Sequence, residues 1–132
     1  MAVIVSGCLG TRAPVTDSST PPALLLDYHR TGGIAGVDDR LIIFDNGMAL
    51  ISTKTVNREF QINQVEIERI QRIFSQAEFT SLQGNYTSPY SGADFLHYSI
   101  TYQNKTIMTE DTVIPYSLQP VIRELNALLT RG

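Results

Sequence analysis

An Asn-Gly dipeptide lies between two short apolar runs near the middle of the chain. Residues 41–44 form the first run, Asp45-Asn46-Gly47 follow directly, and residues 48–53 form the second run. Asn-Gly between apolar runs favours a tight β-hairpin, because both residue types tolerate positive φ. The centre of the chain is therefore predicted to be antiparallel β-structure.

Further strands are predicted on both sides of this hairpin. Residues 23–28 form an apolar run that suits a buried first strand, and residues 59–62 extend the sheet. Residues 95–102 alternate, with Leu96, Tyr98 and Ile100 on one face and His97 and Ser99 on the other. A turn at residues 103–105 then leads to a returning strand over residues 106–109.

Two amphipathic helices complete the predicted elements. Asn63 and Glu66 have the spacing of a capping box, and the apolar residues that follow recur at helical spacing. Ser117 is predicted to cap a second helix with Pro120 in its first turn, where a missing N–H does no harm. The fold class is therefore α+β, an antiparallel sheet of about four to five strands with the two helices packed on one face.

Composition excludes one class of partner. The chain has 132 residues, of which 42% are hydrophobic and 17% charged, and its formal net charge is −3. A nucleic-acid-binding domain needs a basic patch or stripe, and the sequence has no block of like charges. No nucleic-acid partner is therefore expected. No apolar run approaches the roughly 18 residues that a membrane-spanning helix requires.

The N-terminus resembles a lipoprotein signal. Val5-Ser6-Gly7-Cys8 matches a prokaryotic lipobox, in which small residues precede the cysteine that receives lipid. We interpret residues 1–8 as the remnant of that signal, with Cys8 as the lipid attachment site. Residues 9–22, rich in Ser, Thr, Pro and Gly, are a flexible tether, and residues 23–132 are a single α+β domain. The protein is then extracytoplasmic and membrane-anchored; the alternative is a chance Ser-Gly-Cys in a terminal tail.

The sequence offers little for catalysis. Cys8 is the only cysteine, and neither a nucleophile elbow, a zinc-protease helix motif nor a phosphate-binding loop occurs. The protein is therefore predicted not to be an enzyme and to hold no cofactor or metal. A small enzyme or metal protein using Asp94 and His97 remains an alternative, although such a site needs further ligands.

Three stretches together resemble the emfourin family, small inhibitors of thermolysin-like metalloproteases. They are residues 28–36, with the sequence YHRTGGIAG, the helix that ends in Ala77-Glu78-Phe79, and residues 92–100, with the sequence GADFLHYSI. A proline-led helix over residues 115–129 completes the order. The resemblance implies a protein partner, a metalloprotease, and inhibition of it. An envelope structural or adhesion module on the same scaffold is the alternative.

Two loops are the predicted partner-binding surface. Glycines in the first loop present no Cβ and let the backbone approach a cleft closely. Tyrosines in the second loop are amphipathic rings of a kind enriched at binding surfaces. The same residues also have structural explanations, a tight turn for the glycines and packing over the sheet edge for the tyrosines. The candidate residues are Gly32, Gly33, Ile34, Ala35 and Gly36 in the first loop, and Tyr86, Tyr90 and Asp94 in the second.

Overall fold

The structure is a computed structural model that describes residues 21–89 and 94–131. Over these residues it is an α+β fold in which one mixed sheet of seven strands carries two helices. The seven strands are β1 (Leu24–Gly32), β2 (Val37–Phe44), β3 (Met48–Ser52), β4 (Asn57–Gln61), β5 (Asn85–Tyr86), β6 (Leu96–Tyr102) and β7 (Lys105–Glu110). The two helices are α1 (Gln64–Gln76) and α2 (Gln119–Leu129).

The sheet has the order β4-β3-β2-β1-β6-β7-β5. Every neighbouring pair is antiparallel except β5 and β7, which are parallel through Asn85 opposite Met108 and Tyr86 opposite Thr109. The prediction of about four to five strands, all antiparallel, is therefore wrong in strand number and in direction. The α+β class is confirmed. Strand β5 has two residues, too few to produce an alternating pattern in the sequence.

The predicted Asn-Gly hairpin joins β2 to β3. Gly47 has φ +90°, and its N–H donates to the carbonyl of Phe44 at 2.9 Å. The side-chain oxygen of Asn46 accepts from the N–H of Met48 at 3.0 Å. A three-residue loop that ends in a left-handed glycine is a common hairpin connection, so only Gly47 needs positive φ here.

Helix α1 begins with the predicted capping box. The side chain of Asn63 accepts from the N–H of Glu66 at 2.9 Å, and the Glu66 carboxylate accepts from the N–H of Asn63 at 3.4 Å. Ile67, Ile70 and Phe74 are buried beneath the helix. The predicted amphipathic helix is thus confirmed.

Helix α2 begins differently from the prediction. The chain enters it through a 3₁₀ turn over Tyr116–Leu118, and no side chain caps its first turn. Ser117, predicted as the cap, lies inside that turn and is exposed. Pro120 does lie in the first turn of the helix, where its missing N–H leaves no hydrogen bond unmade.

Both helices cover the same face of the sheet. The ring of Phe74 on α1 stacks on Tyr102 of β6 with 4.0 Å between ring centroids. Asn126 on α2 accepts a hydrogen bond of 2.6 Å from the Tyr28 hydroxyl of β1. Alternate strand residues such as Leu26 and Ile100 are fully buried on this face. The opposite face, called the open face below, carries no helix within the described residues.

Neither helix of the described residues has the length and apolarity to cross a bilayer.

Candidate functional site

The first predicted loop is the tip of the hairpin that joins β1 to β2. The N–H of Gly36 donates to the carbonyl of Gly33 at 3.1 Å and closes a tight turn with Ile34 and Ala35 at its centre. The side chain of Ile34 is 91% exposed. We call residues 32–36 the hairpin tip.

Glycine is required at the base of this tip. Gly32 has φ +102°, and a Cβ there would lie 2.7 Å from the carbonyl oxygen of Phe95, closer than non-bonded atoms approach. Gly33, with φ +78°, donates its N–H to the same carbonyl at 3.1 Å. The hairpin tip is therefore joined to the chain that leads into β6, and the close backbone approach leaves no room for a side chain at Gly32.

An Arg–Asp ion pair and a His–Asp contact hold the two strands together directly below the hairpin tip. On the helix-covered face, the guanidinium of Arg30 donates to the Asp39 carboxylate at 2.6 Å and to the side-chain oxygen of Asn126 at 3.0 Å. On the open face, His29 Nε2 lies 2.7 Å from a carboxylate oxygen of Asp38. Both faces of the hairpin are thus cross-linked by side chains, which restrains the tip above them.

Asp111 supports the β6 side of the site. Its carboxylate accepts from the Leu96 N–H at 2.9 Å and from the Tyr98 hydroxyl at 2.5 Å. Burial, with the hydrogen bond to Asp111, raises the pKa of the Tyr98 phenol well above its ordinary value, so the phenol remains a donor at neutral pH. This contact fixes the start of β6, immediately after the Phe95 carbonyl that binds Gly33.

A histidine and a buried carboxylate meet on the open face beside the tip. His97 Nδ1 lies 3.3 Å from the Glu110 carboxylate, which is buried and also accepts from the N–H of Ser88 at 2.9 Å. No ion pair joins His97 to Asp94. In residues 21–89 and 94–131, no group of three His, Cys, Asp or Glu side chains could hold a metal ion.

The structure brings some of the predicted residues together and separates others. The hairpin tip lies beside the chain that contains Asp94, because Gly32 pairs with Leu96 across the β1–β6 ladder. Asp94 is exposed. Tyr86 is half-buried against the core, and its hydroxyl accepts from the Gln83 N–H at 2.8 Å. Cys8 and Tyr90 lie outside the described residues, as do the predicted signal remnant and most of the tether.

Two residues near the tip were not among the predicted site residues. Lys54, in the turn between β3 and β4, places its ammonium nitrogen 2.9 Å from where a Cβ of Gly36 would lie. Asp111 binds β6 from the end of β7. Both act through contacts between segments distant in sequence. An Asp that directly follows a strand is a weak signal for this kind of backbone support.

Comparison with known proteins adds no family, because neither a protein-family model nor a curated protein matches the chain.

Proposed function

We propose that this domain is a non-catalytic binding domain that inhibits a thermolysin-like metalloprotease by inserting the hairpin tip into the substrate cleft. The observation that carries the proposal is an aliphatic side chain, Ile34, 91% exposed at the end of a cross-linked hairpin. A rigid tip loses little conformational freedom on binding, so more of the contact energy becomes affinity. An exposed aliphatic group on such a tip suits an apolar pocket.

The neighbouring residues supply the rest of the proposed contact surface. Asp94 lies in the chain beside the tip, and the Lys54 ammonium lies beside Gly36, so charged groups of both signs lie near the hairpin tip. Polar groups around an apolar anchor are typical of the rim of a protein interface. Tyr86 packs against the core on β5, which β7 and β6 separate from β1, so it is not part of this contact surface.

The first experiment is an inhibition assay. Residues 21–132 are titrated against thermolysin, with a serine and a cysteine protease as controls. Selective, saturable loss of thermolysin activity is expected. Loss of all three protease activities, or no loss of activity at micromolar concentrations of the domain, would overturn the inhibitor proposal. The envelope structural module would then be the better interpretation.

A single substitution tests the role of the tip. Ile34→Asp places a charge where the apolar anchor enters, and we expect inhibition to weaken by about thirtyfold or more, the effect of losing an interface hot spot. Val65→Asp is the matched control, because Val65 is 72% exposed on the outside of α1. Both variants should keep the wild-type melting temperature. If Ile34→Asp inhibits as well as Val65→Asp does, the tip is not the inhibitory element.

The proposed location is extracytoplasmic, with lipid on Cys8 and residues 9–22 as the tether. Its support is the sequence of residues 5–8 and the composition that follows it. Placed behind the positively charged and apolar segments of a lipoprotein signal and expressed in a bacterium that processes lipoproteins, the chain should incorporate labelled fatty acid and partition into detergent. Cys8→Ser should do neither, and labelling that survives Cys8→Ser would exclude this residue as the attachment site.

A further inference from the structure

Strand β4 forms one edge of the sheet, and its outward backbone groups can be assigned. Thr53 N–H donates to the Val56 carbonyl at 2.8 Å, and Ile62 N–H donates to the Gly47 carbonyl at 2.9 Å. Residues 56 and 62 therefore turn their backbone groups toward β3. In an antiparallel ladder this direction alternates along the strand. It follows that residues 57, 59 and 61 direct their N–H and C=O groups away from the sheet.

The side chains of these three residues lie on the open face, where Asn57 and Glu59 border a groove. The groove has a volume of about 440 Å³. Ile42 and Leu50, which pair across β2 and β3, contribute apolar lining, and Ser52, Asn57 and Glu59 contribute polar lining. No strand of residues 21–89 and 94–131 pairs with the outer side of β4, and such an edge next to a partly apolar groove offers both main-chain hydrogen bonds and side-chain contacts to an added strand.

The middle of this edge carries an uncompensated negative charge. Glu59 is exposed and makes no ion pair within residues 21–89 and 94–131. The arginines nearby are occupied: Arg40 donates to the Asp27 carboxylate at 2.6 and 3.0 Å. Arg58 donates to the carbonyls of Leu129 and Arg131 on the other face of the sheet. An approaching strand therefore meets the Glu59 carboxylate first.

This charge selects between two kinds of added strand. A second copy of β4 paired antiparallel over its full length would place Glu59 opposite Glu59, and directly opposed like charges are destabilising. Charged residues on edge strands commonly prevent such self-association. Lys or Arg at the same position in a different strand would be attracted. The edge thus disfavours a second copy and favours a cationic partner.

We propose that β4 binds an extended segment of a partner protein by strand addition, with a Lys or Arg of that segment opposite Glu59 and apolar residues on both sides of it. The flanking residue opposite Asn57 would extend along the groove, and the one opposite Gln61 would lie on the same face beyond it. Those opposite Arg58 and Phe60 would lie on the helix-covered face, against the half-buried Phe60 ring. This interaction is separate from the hairpin tip and does not depend on its inhibitory role.

A charge exchange between protein and peptide tests the proposal. The probe is the capped peptide Thr-Leu-Val-Lys-Val-Leu-Thr, and its control has Glu in place of Lys. Each is titrated into the ¹⁵N-labelled full chain at low salt. We expect amide shifts at residues 57, 59 and 61, with the Lys peptide binding about two- to fivefold more tightly, the size of a cross-strand charge pair. Glu59→Lys should reverse the preference.

Glu68→Lys is the matched control, because it makes the same charge change at an exposed position on α1. It should keep the wild-type preference for the Lys peptide. The proposal is wrong if neither peptide binds at millimolar concentration, if Glu59→Lys leaves the preference unchanged, or if the shifts lie elsewhere. It is equally wrong if the wild-type chain is a dimer in solution with residues 57–61 protected from exchange, since a second copy would then occupy the edge.

Discussion

Gly32 and Gly33 are adjacent in the sequence, yet they meet different neighbours. A Cβ on Gly32 would contact the Phe95 carbonyl at 2.7 Å, whereas a Cβ on Gly33 would meet the end of the Leu96 side chain at 3.4 Å. A backbone carbonyl held by the Gly33 N–H cannot readily move aside, but a leucine methyl group can. The two glycines therefore differ in how much the fold depends on them.

Gly32→Ala is expected to lower the free energy of unfolding by roughly 3 kcal/mol, because it combines positive φ with a backbone clash. Gly33→Ala should cost about 1 kcal/mol, mainly through its positive φ. Urea unfolding of both variants measures the difference. Equal losses would mean that the Phe95 contact is looser than the structure indicates.

Sequence alone identified the hairpin tip as a glycine loop but not its supports. Positive φ and close backbone approach both favour glycine, so these positions can be recognised from the residue type alone. Asp111 and Lys54 act across the sheet, and their contacts follow from strand order. The pairing of His97 with Glu110 rather than Asp94 has the same origin, since register places Glu110 opposite His97.

The starts of the two helices differ in what determines them: local side-chain chemistry sets the start of α1 but not that of α2. Asn63 and Glu66 satisfy each other's backbone groups within one turn, so their spacing predicts the cap correctly. At α2 the chain follows a 3₁₀ turn in which Leu118 is fully buried. Packing of that leucine therefore sets the helix start, and the hydroxyl of Ser117 has no capping role.

Asn63→Ala is predicted to destabilise the protein by about 1 kcal/mol, the usual cost of losing a side-chain cap. Ser117→Ala should change stability by less than about 0.5 kcal/mol, as for a surface substitution without a specific partner. Thermal melts followed by circular dichroism compare the two. A Ser117→Ala loss as large as that of Asn63→Ala would restore the serine as a cap.

The strands, like the helix starts, include one that a local sequence pattern predicts and one that it does not. Strand β6 alternates cleanly, because Tyr98, Ile100 and Tyr102 face the helices while Ser99 and Thr101 face the open side. Strand β5 is defined by its hydrogen bonds to β7, and nothing within residues 85–86 requires that position. Short edge strands depend on the sheet already present, so a local pattern does not reveal them.

For the molecule as a whole, two buried phenols link the centre of the sheet to helix α2 and to the chain that follows β7. The rings of Tyr28 and Tyr98 stack with centroids 6.3 Å apart. Tyr28 donates to Asn126 on α2, and Tyr98 donates to Asp111 after β7. Burial raises the pKa of both phenols above their ordinary value of about 10.

A raised folded-state pKa implies alkaline sensitivity. The stability from these phenols is fully present below about pH 10, the unfolded pKa, and is lost as the pH rises from there toward the folded-state pKa. Melting temperatures measured from about pH 8 to about pH 11 should therefore fall at the upper end. Tyr98→Phe should lower the free energy of unfolding by about 1 kcal/mol at neutral pH. Its melting temperature should fall less steeply as the pH rises, because one of the two buried phenols has been removed. Tyr116→Phe, at an 88% exposed residue, should follow the wild-type curve.

Strand order also dictates when the sheet can be completed during synthesis. Among the seven described strands β1 is made first, yet it lies between β2 and β6, with Leu26 opposite Tyr102. A nascent chain that has reached only α1 therefore has β1 as an unpaired edge with Leu26 and Tyr28 incompletely covered. Pairing so distant in sequence slows folding, and open apolar edges promote association. Shortened forms of this protein that end before β6 should therefore aggregate rather than fold into a smaller domain.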